Sequence, residues 1–280
     1  MGGPVLVMGA TGRQGGAVVD ALLRLGREPV AFVRDPETPP ARRLAGRGVP
    51  LAVGSYEEPE TVTRALAGVA AVFTMTSPRG GPAAEVERGR RVLEAVAAAG
   101  VSHVVHASVA NADRATGVAH FDAKRVVERH LEGLGIPATI VAPASLMENL
   151  LRPAVLADLR RGRFRRALPP DRKLAMVAAA DLGGFAALAF DRPEAFAGRR
   201  IDIAGDELSG REAARVLSAE LGHPVTYQQI AFAEAGAGDL PTMHRWFDRV
   251  GFRIDIAGLR RDHPEVGWTT FREWAGAQDW

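Results

Sequence analysis

The chain of 280 residues contains no cysteine. That absence removes disulfides, thiolate catalysis and cysteine metal sites together. Tyrosine is almost as scarce, with only Tyr56 and Tyr227 present. No apolar run reaches the roughly 18 residues that a membrane span requires, so none is expected. An excess of charge is missing too. Lys and Arg number 35 against 33 Asp and Glu, a net charge of +2, and no general affinity for nucleic acid follows. The chain enters its first apolar segment almost at once, leaving no room for a secretory leader, and a cytoplasmic location is the expectation. What remains is ordinary for a globular protein: 47% hydrophobic and 24% charged residues. The length suffices for a large core, in one domain or in a domain plus a lobe.

The most informative stretch is Val5-Leu6-Val7-Met8-Gly9-Ala10-Thr11-Gly12-Arg13-Gln14-Gly15-Gly16. A β-branched apolar run leads into spaced glycines, and Ala17, Val18, Ala21, Leu22 and Leu25 continue with helical periodicity. Strand, glycine turn and helix form the context in which a dinucleotide pyrophosphate sits on a helix N-terminus. Gly9 would allow the tight turn, Gly12 the close approach of phosphate, and Gly15 the packing of helix on strand. The next strand, at 29–33, ends at Arg34. An acidic residue there suits a ribose 2′-hydroxyl, whereas arginine suits a 2′-phosphate. Asp35 follows and keeps NAD(H) open, but the arginine favours NADP(H).

Strand and helix patterns then alternate. Further strands are expected at 49–53, 69–74, 101–107 and 138–141, with helices at 41–46, 59–66, 82–99 and 121–134. This spacing predicts an α/β fold, a doubly wound parallel sheet of Rossmann type, with a smaller C-terminal α/β lobe. The dinucleotide-binding domain is expected over 1–148 with returning segments near 176–206. The lobe takes 149–175 and 207–280. Residues 150–166 read as a basic helix and turn, 181–188 as a helix, 200–204 as a strand, and 209–221 as a helix capped by Ser209. The rest shows no clear periodicity.

Four further segments carry a resemblance: Arg34-Asp35-Pro36, Ala119-His120-Phe121-Asp122-Ala123-Lys124, Glu148-Asn149-Leu150-Leu151 after Pro143, and Asp181-Leu182-Gly183. With the glycine turn they make the chain resemble the NmrA-like family of atypical short-chain dehydrogenases along nearly its whole length. The resemblance implies that Gly9, Thr11, Gly12, Arg13, Gln14 and Gly15 line the pyrophosphate. It implies Arg34 at the 2′-phosphate, Thr76 and Ser77 near the adenosine and its ribose, and Lys124 at the nicotinamide ribose. It puts Ser145, Leu146, Met147, Glu148 and Asn149 around the nicotinamide. Some relatives carry a lysine where Thr38 stands, and Arg42 or Arg43 are the candidate substitutes.

Ordinary short-chain dehydrogenases use Tyr-x-x-x-Lys, in which the tyrosine gives a proton to the substrate oxygen. Here His120 stands at the tyrosine position before Lys124, and neither tyrosine has a lysine four residues on. His120 is either a proton donor or a packing residue. Ser108, at the end of the fifth strand, either holds a substrate carbonyl, as in related enzymes, or caps a loop. His103 and His106 read as packed strand residues, and no spacing suggests a metal site. Arg152, Arg160, Arg161, Arg163, Arg165 and Arg166 form the one basic cluster. It reads as a solvated helix face rather than a nucleic-acid surface. Two functions of different class follow. One is an NADPH-dependent reductase of a small carbonyl, quinone or imine. The other is a non-catalytic NADP(H) redox sensor acting on a protein partner. A homodimer is compatible with either.

Overall fold

The computed structural model describes residues 2–280. Twelve strands occur in chain order: β1 (Val5–Met8), β2 (Pro29–Val33), β3 (Leu51–Val53), β4 (Ala71–Met75), β5 (His103–Ala107), β6 (Ala138–Pro143), β7 (Ser145–Leu146), β8 (Arg163–Arg166), β9 (Lys173–Val177), β10 (Arg200–Ile203), β11 (Asp206–Ser209) and β12 (Thr226–Gln229). The helices are α1 (Arg13–Arg24), α2 (Pro39–Gly46), α3 (Pro59–Leu66), α4 (Gly81–Ala98), α5 (Ala119–Gly133), α6 (Pro153–Arg160), α7 (Ala179–Asp191), α8 (Pro193–Phe196), α9 (Gly210–Leu221), α10 (Leu240–Arg249), α11 (Ile256–Asp262) and α12 (Phe271–Gly276).

Seven strands form one sheet in the order β10-β6-β5-β4-β1-β2-β3. Every neighbouring pair in it is parallel. The order reverses direction between β1 and β4, the crevice at which open α/β sheets bind ligands. The two-residue period of a strand divides the core. Val5 and Val7 point into a cluster with Val18, Leu22, Leu182 and Phe185 of α1 and α7. Leu6 and Met8 point into the opposite cluster with Val92, Leu93 and Val96 of α4 and Val127 and Leu131 of α5. Phe185 and Phe190 are fully buried, each contributing about 1.5–3 kcal/mol. A Cβ on Gly183 would lie 2.3 Å from the Ala17 carbonyl oxygen, so α7 approaches α1 this closely only because that residue is glycine.

The second half carries more regular structure than its periodicity suggests. β7, β9 and β11 make a three-stranded sheet, and β8 pairs with β12. The basic segment 150–166 is not one helix. Its helical part ends at Arg160, Gly162 turns with φ 72°, and 163–166 is a strand parallel to β12. Four or five residues are too few for periodicity to register, which is why β9, β11 and β12 leave no clear sequence pattern. α10, α11 and α12 lie where the sequence shows no clear pattern, and the aromatic residues of α10 and α12 are buried in the cores there, with Trp246 and Phe247 beside Phe121 and Phe252.

The histidines of β5 are packed, as expected. His103 Nε2 lies 2.8 Å from Thr139 Oγ1, and His106 Nδ1 lies 2.8 Å from Thr74 Oγ1. Burial pushes His103 down to about 4 and His106 down to about 3 from the ordinary 6.5. Both therefore stay neutral in the fold while the unfolded chain takes up protons below pH 6.5. Stability from this source is complete above that pH and falls as acid is added, by about 3 kcal/mol for each ring at pH 4. Thermal melts of the parent and of His106→Gln at neutral pH and at about pH 4.5 should show the variant losing less on acidification. Identical losses would contradict the assignment.

Candidate active site

The turn after β1 is built by its glycines. Gly9 adopts φ 69°, and the Gly12 N–H donates to the Gly9 carbonyl at 2.8 Å. A Cβ on Gly15 would lie 2.3 Å from that same carbonyl oxygen, so Gly15 lets α1 start directly on the turn. Gly12 is the N-cap residue of α1 and offers no side-chain acceptor, and no acidic residue occupies the first turn. The leading N–H groups of α1 are thus free to meet an anion, and the helix dipole favours one.

A cleft of about 460 Å³ opens over this turn, lined by Gly9, Thr11, Gly12, Arg13 and Gln14. Arg34, Thr76 and Ser77 line it from the ends of β2 and β4, and Leu146, Asn149 and Arg152 close it from the lobe side. Arg13, Arg34, Arg79, Arg88 and Arg152 line it against a single carboxylate, Glu57. Gly15 lies buried under the turn rather than on the wall. Asp35 does not line the cleft, and its Oδ1 accepts from the Glu37 N–H at 2.8 Å. Arg42 pairs with Glu37, and neither it nor Arg43 lines the cleft, whose cationic wall includes Arg79 and Arg88. Tyr56 also lines the cleft and packs on Phe32 at 5.7 Å. Burial raises its phenol to about 12, with Arg34 acting in the opposite direction, so it stays neutral near pH 7.

The expected run 145–149 divides. Ser145, Leu146 and Asn149 face the cavities. Met147 is fully buried in the lobe core, and Glu148 turns away. Glu148 Oε1 accepts from the Ala179 N–H at 2.9 Å and from Trp274 Nε1 at 3.1 Å, which places its charge at the N-terminus of α7. The cause is the 3₁₀ turn at Met147–Leu151, which rotates successive side chains to different sides.

A second cavity of about 360 Å³ adjoins the cleft and shares Gln14, Leu146, Asn149 and Arg152 with it. Ser108, His120 and Lys124 line this chamber, with Phe121, Phe247 and Leu168 among its apolar walls. His120 and Lys124 lie four residues apart on α5 and so share a face. The His120 N–H and Nδ1 both meet Asp239 Oδ2, at 2.8 and 2.7 Å. Burial tends to raise the Asp239 carboxyl, but the His120 hydrogen bonds outweigh it and hold the group below its ordinary value. An ionised carboxylate only accepts, so Nδ1 carries a proton and Nε2 is the variable atom. Asp239 also supplies the cap that Val118 cannot give α5. Lys124 Nζ donates to Glu85 Oε1 at 2.8 Å and to Thr76 Oγ1 at 2.9 Å, and Glu85 is wholly buried. Neither tyrosine lines the chamber.

Sequence reasoning missed Glu85, Asp239 and Tyr56. Glu85 sits in a helical stretch rich in charge, where an acid ordinarily faces water. Asp239 comes from the lobe, 119 residues beyond its partner. Two polar atoms here, Gln14 Oε1 where cleft and chamber meet and Ser108 Oγ at the chamber, are buried without a hydrogen-bond partner among the described residues. A bound ligand or water could satisfy both. With the free helix N-terminus and the arginine-lined wall, they fit a nicotinamide dinucleotide bearing a 2′-phosphate. No helix among the described residues is long and apolar enough to cross a membrane, and no cluster among them has the makings of a metal site.

An NAD(P)H azoreductase of Xenophilus azovorans is 32% identical over 236 residues, 82% of this chain and 78% of that protein. A (4-alkanoyl-5-oxo-2,5-dihydrofuran-3-yl)methyl phosphate reductase of Streptomyces griseus is 33% identical over 229 residues, covering 81% of this chain and 77% of its own length. The crystal structure of an NADPH-dependent quinone oxidoreductase of Escherichia coli complexed with NADPH superposes with a TM-score of 0.81 at 27% identity, over 97% of this chain and 98% of that one. The NmrA-like family model matches residues 1–275, and the chain belongs to the NmrA-like family.

Proposed function

We propose that the protein is an NADPH-dependent reductase of a small carbonyl, quinone or imine. One observation carries this. The dinucleotide-type cleft opens directly into an apolar-walled chamber at Gln14 and Asn149, and Ser108, His120 and Lys124 all face that chamber. A purely sensory site needs no such chamber beside the cofactor. The relatives named as reductases support the same reading.

NADPH, when bound, supplies the hydride; the protein supplies binding, orientation and a proton. The N–H groups of α1 and the glycine turn would hold the pyrophosphate, and Arg34 the 2′-phosphate. Lys124 would hold the nicotinamide ribose, its ammonium already positioned by Glu85 and Thr76. Ser108 Oγ would hydrogen-bond the oxygen or nitrogen that receives the proton. His120 would deliver that proton from Nε2 while Asp239 keeps the ring oriented through Nδ1. The His120 side chain is 24% exposed, enough for water to restore the proton after each turnover.

Arg34 gives a clear test of cofactor choice. NADPH should bind much more tightly than NADH, and Arg34→Ala should lose the difference, worth roughly 1.5–3 kcal/mol for a charge-assisted contact. Calorimetry with both cofactors measures it. Equal affinities in the parent protein would contradict the role given to Arg34. The reductase reading itself is tested by NADPH oxidation over a panel of quinones, aldehydes and imines. Tight NADPH binding with no oxidation by any of them would favour the redox sensor.

A further inference from the structure

The side chains of β8 have different partners. Arg163 reaches Asp158 at 2.7 Å, and Arg165 reaches Glu234 at 3.4 Å. Between them, Phe164 is buried in the lobe core. Arg166 shares its side of the strand and lines the second cavity. Its guanidinium lies over the Phe164 ring, 5.2 Å from the centroid, and has no ion pair or side-chain hydrogen bond among the described residues.

The cavity offers it no acid either, for none of the lining residues is Asp or Glu. The cavity's other cations are accounted for. Lys124 is paired with Glu85, Arg165 with Glu234, and Arg152 donates to Asn149 Oδ1 at 2.9 Å. The His244 ring, also on the wall, donates nothing to Arg166 and accepts nothing from it, being tied through Nδ1 to the Leu240 carbonyl at 2.9 Å. Burial lowers the Arg166 guanidinium from its ordinary value, with Tyr227 acting in the opposite direction. Arg166 does not line the cofactor cleft, so the cofactor phosphates do not answer it.

A half-buried guanidinium with no acid to pair with is satisfied when an oxyanion enters the chamber and accepts its paired donors. Arg is also the side chain whose fork matches a carboxylate, sulfonate or phosphate. We propose that the molecule reduced in this chamber carries an oxyanion substituent, received by Arg166 while the conjugated body lies against Phe121, Leu168 and Phe247. This rests on the chamber being the substrate site of a reductase. It adds a selection rule to that site: among conjugated acceptors of equal size, the anionic one is preferred.

The test separates the two ideas because it involves no hydride transfer. The protein loaded with NADP⁺ is titrated calorimetrically with naphthalene-2-carboxylate and with naphthalene-2-carboxamide, a neutral molecule of nearly the same shape. The carboxylate should bind at least about tenfold more tightly. Arg166→Met should erase the preference, and Arg166→Lys, which keeps the charge but loses the fork, should retain part of it. NADP⁺ affinity in each variant checks that the site is intact. Equal binding of the two ligands by the parent protein would overturn the proposal, whatever the variants do. So would a preference that survives Arg166→Met. The NADPH oxidation panel stands or falls separately.

Discussion

Replacing His120 with alanine is expected to lower turnover by roughly 10²–10⁴-fold, the usual scale for loss of a general acid. Cofactor affinity should stay nearly unchanged. His120 is held from the side opposite the reacting atom, with Nδ1 on Asp239 and Nε2 left to work. Asp239→Asn should cause a smaller loss and alter the pH profile of turnover, since an amide can donate to Nδ1 and so change which nitrogen carries the proton. A packing role for His120 would leave that profile unmoved. Lys124→Ala should behave differently, weakening cofactor binding and turnover together. It also strands the buried Glu85 carboxylate without its cation, a defect of the order of 3–5 kcal/mol. Lys124→Ala combined with Glu85→Gln removes that charge and reports the binding role more cleanly. A normal rate in His120→Ala would show that water supplies the proton.

Gly12→Val is expected to weaken binding of both NADPH and NADH by roughly 100-fold or more while the protein stays folded. Gly12 has φ −95° and ψ 177°, which any residue can adopt, so the backbone does not resist the change. A Cβ there meets only the Gly9 carbonyl oxygen at 3.2 Å, a contact relieved by a small shift. The valine methyls would then occupy the floor of the cleft, where phosphate must approach the N-terminus of α1. Gly15→Val should be worse in a different way. Its Cβ would lie 2.3 Å from the Gly9 oxygen and 2.8 Å from the Ala10 nitrogen, so the turn itself must deform and melting temperature should fall as well as affinity. Calorimetry beside thermal melts distinguishes the two. Normal cofactor affinity in Gly12→Val would place the nucleotide elsewhere.

The first half of the fold was legible because each element has its own period and punctuation. The run 5–8 followed by Gly9 admits little except a buried strand entering a tight turn, and the later strands are apolar runs with helices of 8 to 18 residues among them. Arg34 and the glycine turn could be placed on the cleft wall because they sit at fixed offsets from strand ends. The lobe was harder. β7 has two residues and β8 has four, too short for a pattern, and Arg163 to Arg166 read as a charged helix face because four residues rich in arginine carry no strand signal. The pairing of Arg163 and Arg165 with acids, and the isolation of Arg166, exist only once β8 is a strand. The resemblance implies Met147 and Glu148 at the nicotinamide together with their neighbours, but a 3₁₀ turn sends adjacent residues to different sides. Glu85 and Asp239 left no local signal, since each acquires its role from a partner far away in the chain.

The central claim is that nicotinamide reduces a substrate in the chamber shared by Ser108, His120 and Lys124. A single-turnover experiment tests it most directly. Protein stoichiometrically loaded with NADPH is mixed with each quinone, aldehyde or imine, and the absorbance of reduced nicotinamide is followed with time. Oxidation should require the acceptor. Deuterium on one face of nicotinamide C4 should slow the step, while deuterium on the other face should not, because a fixed pocket presents only one face to the chamber. Tightly bound NADPH that persists unchanged with every acceptor would contradict the claim and make the protein a sensor of nucleotide occupancy.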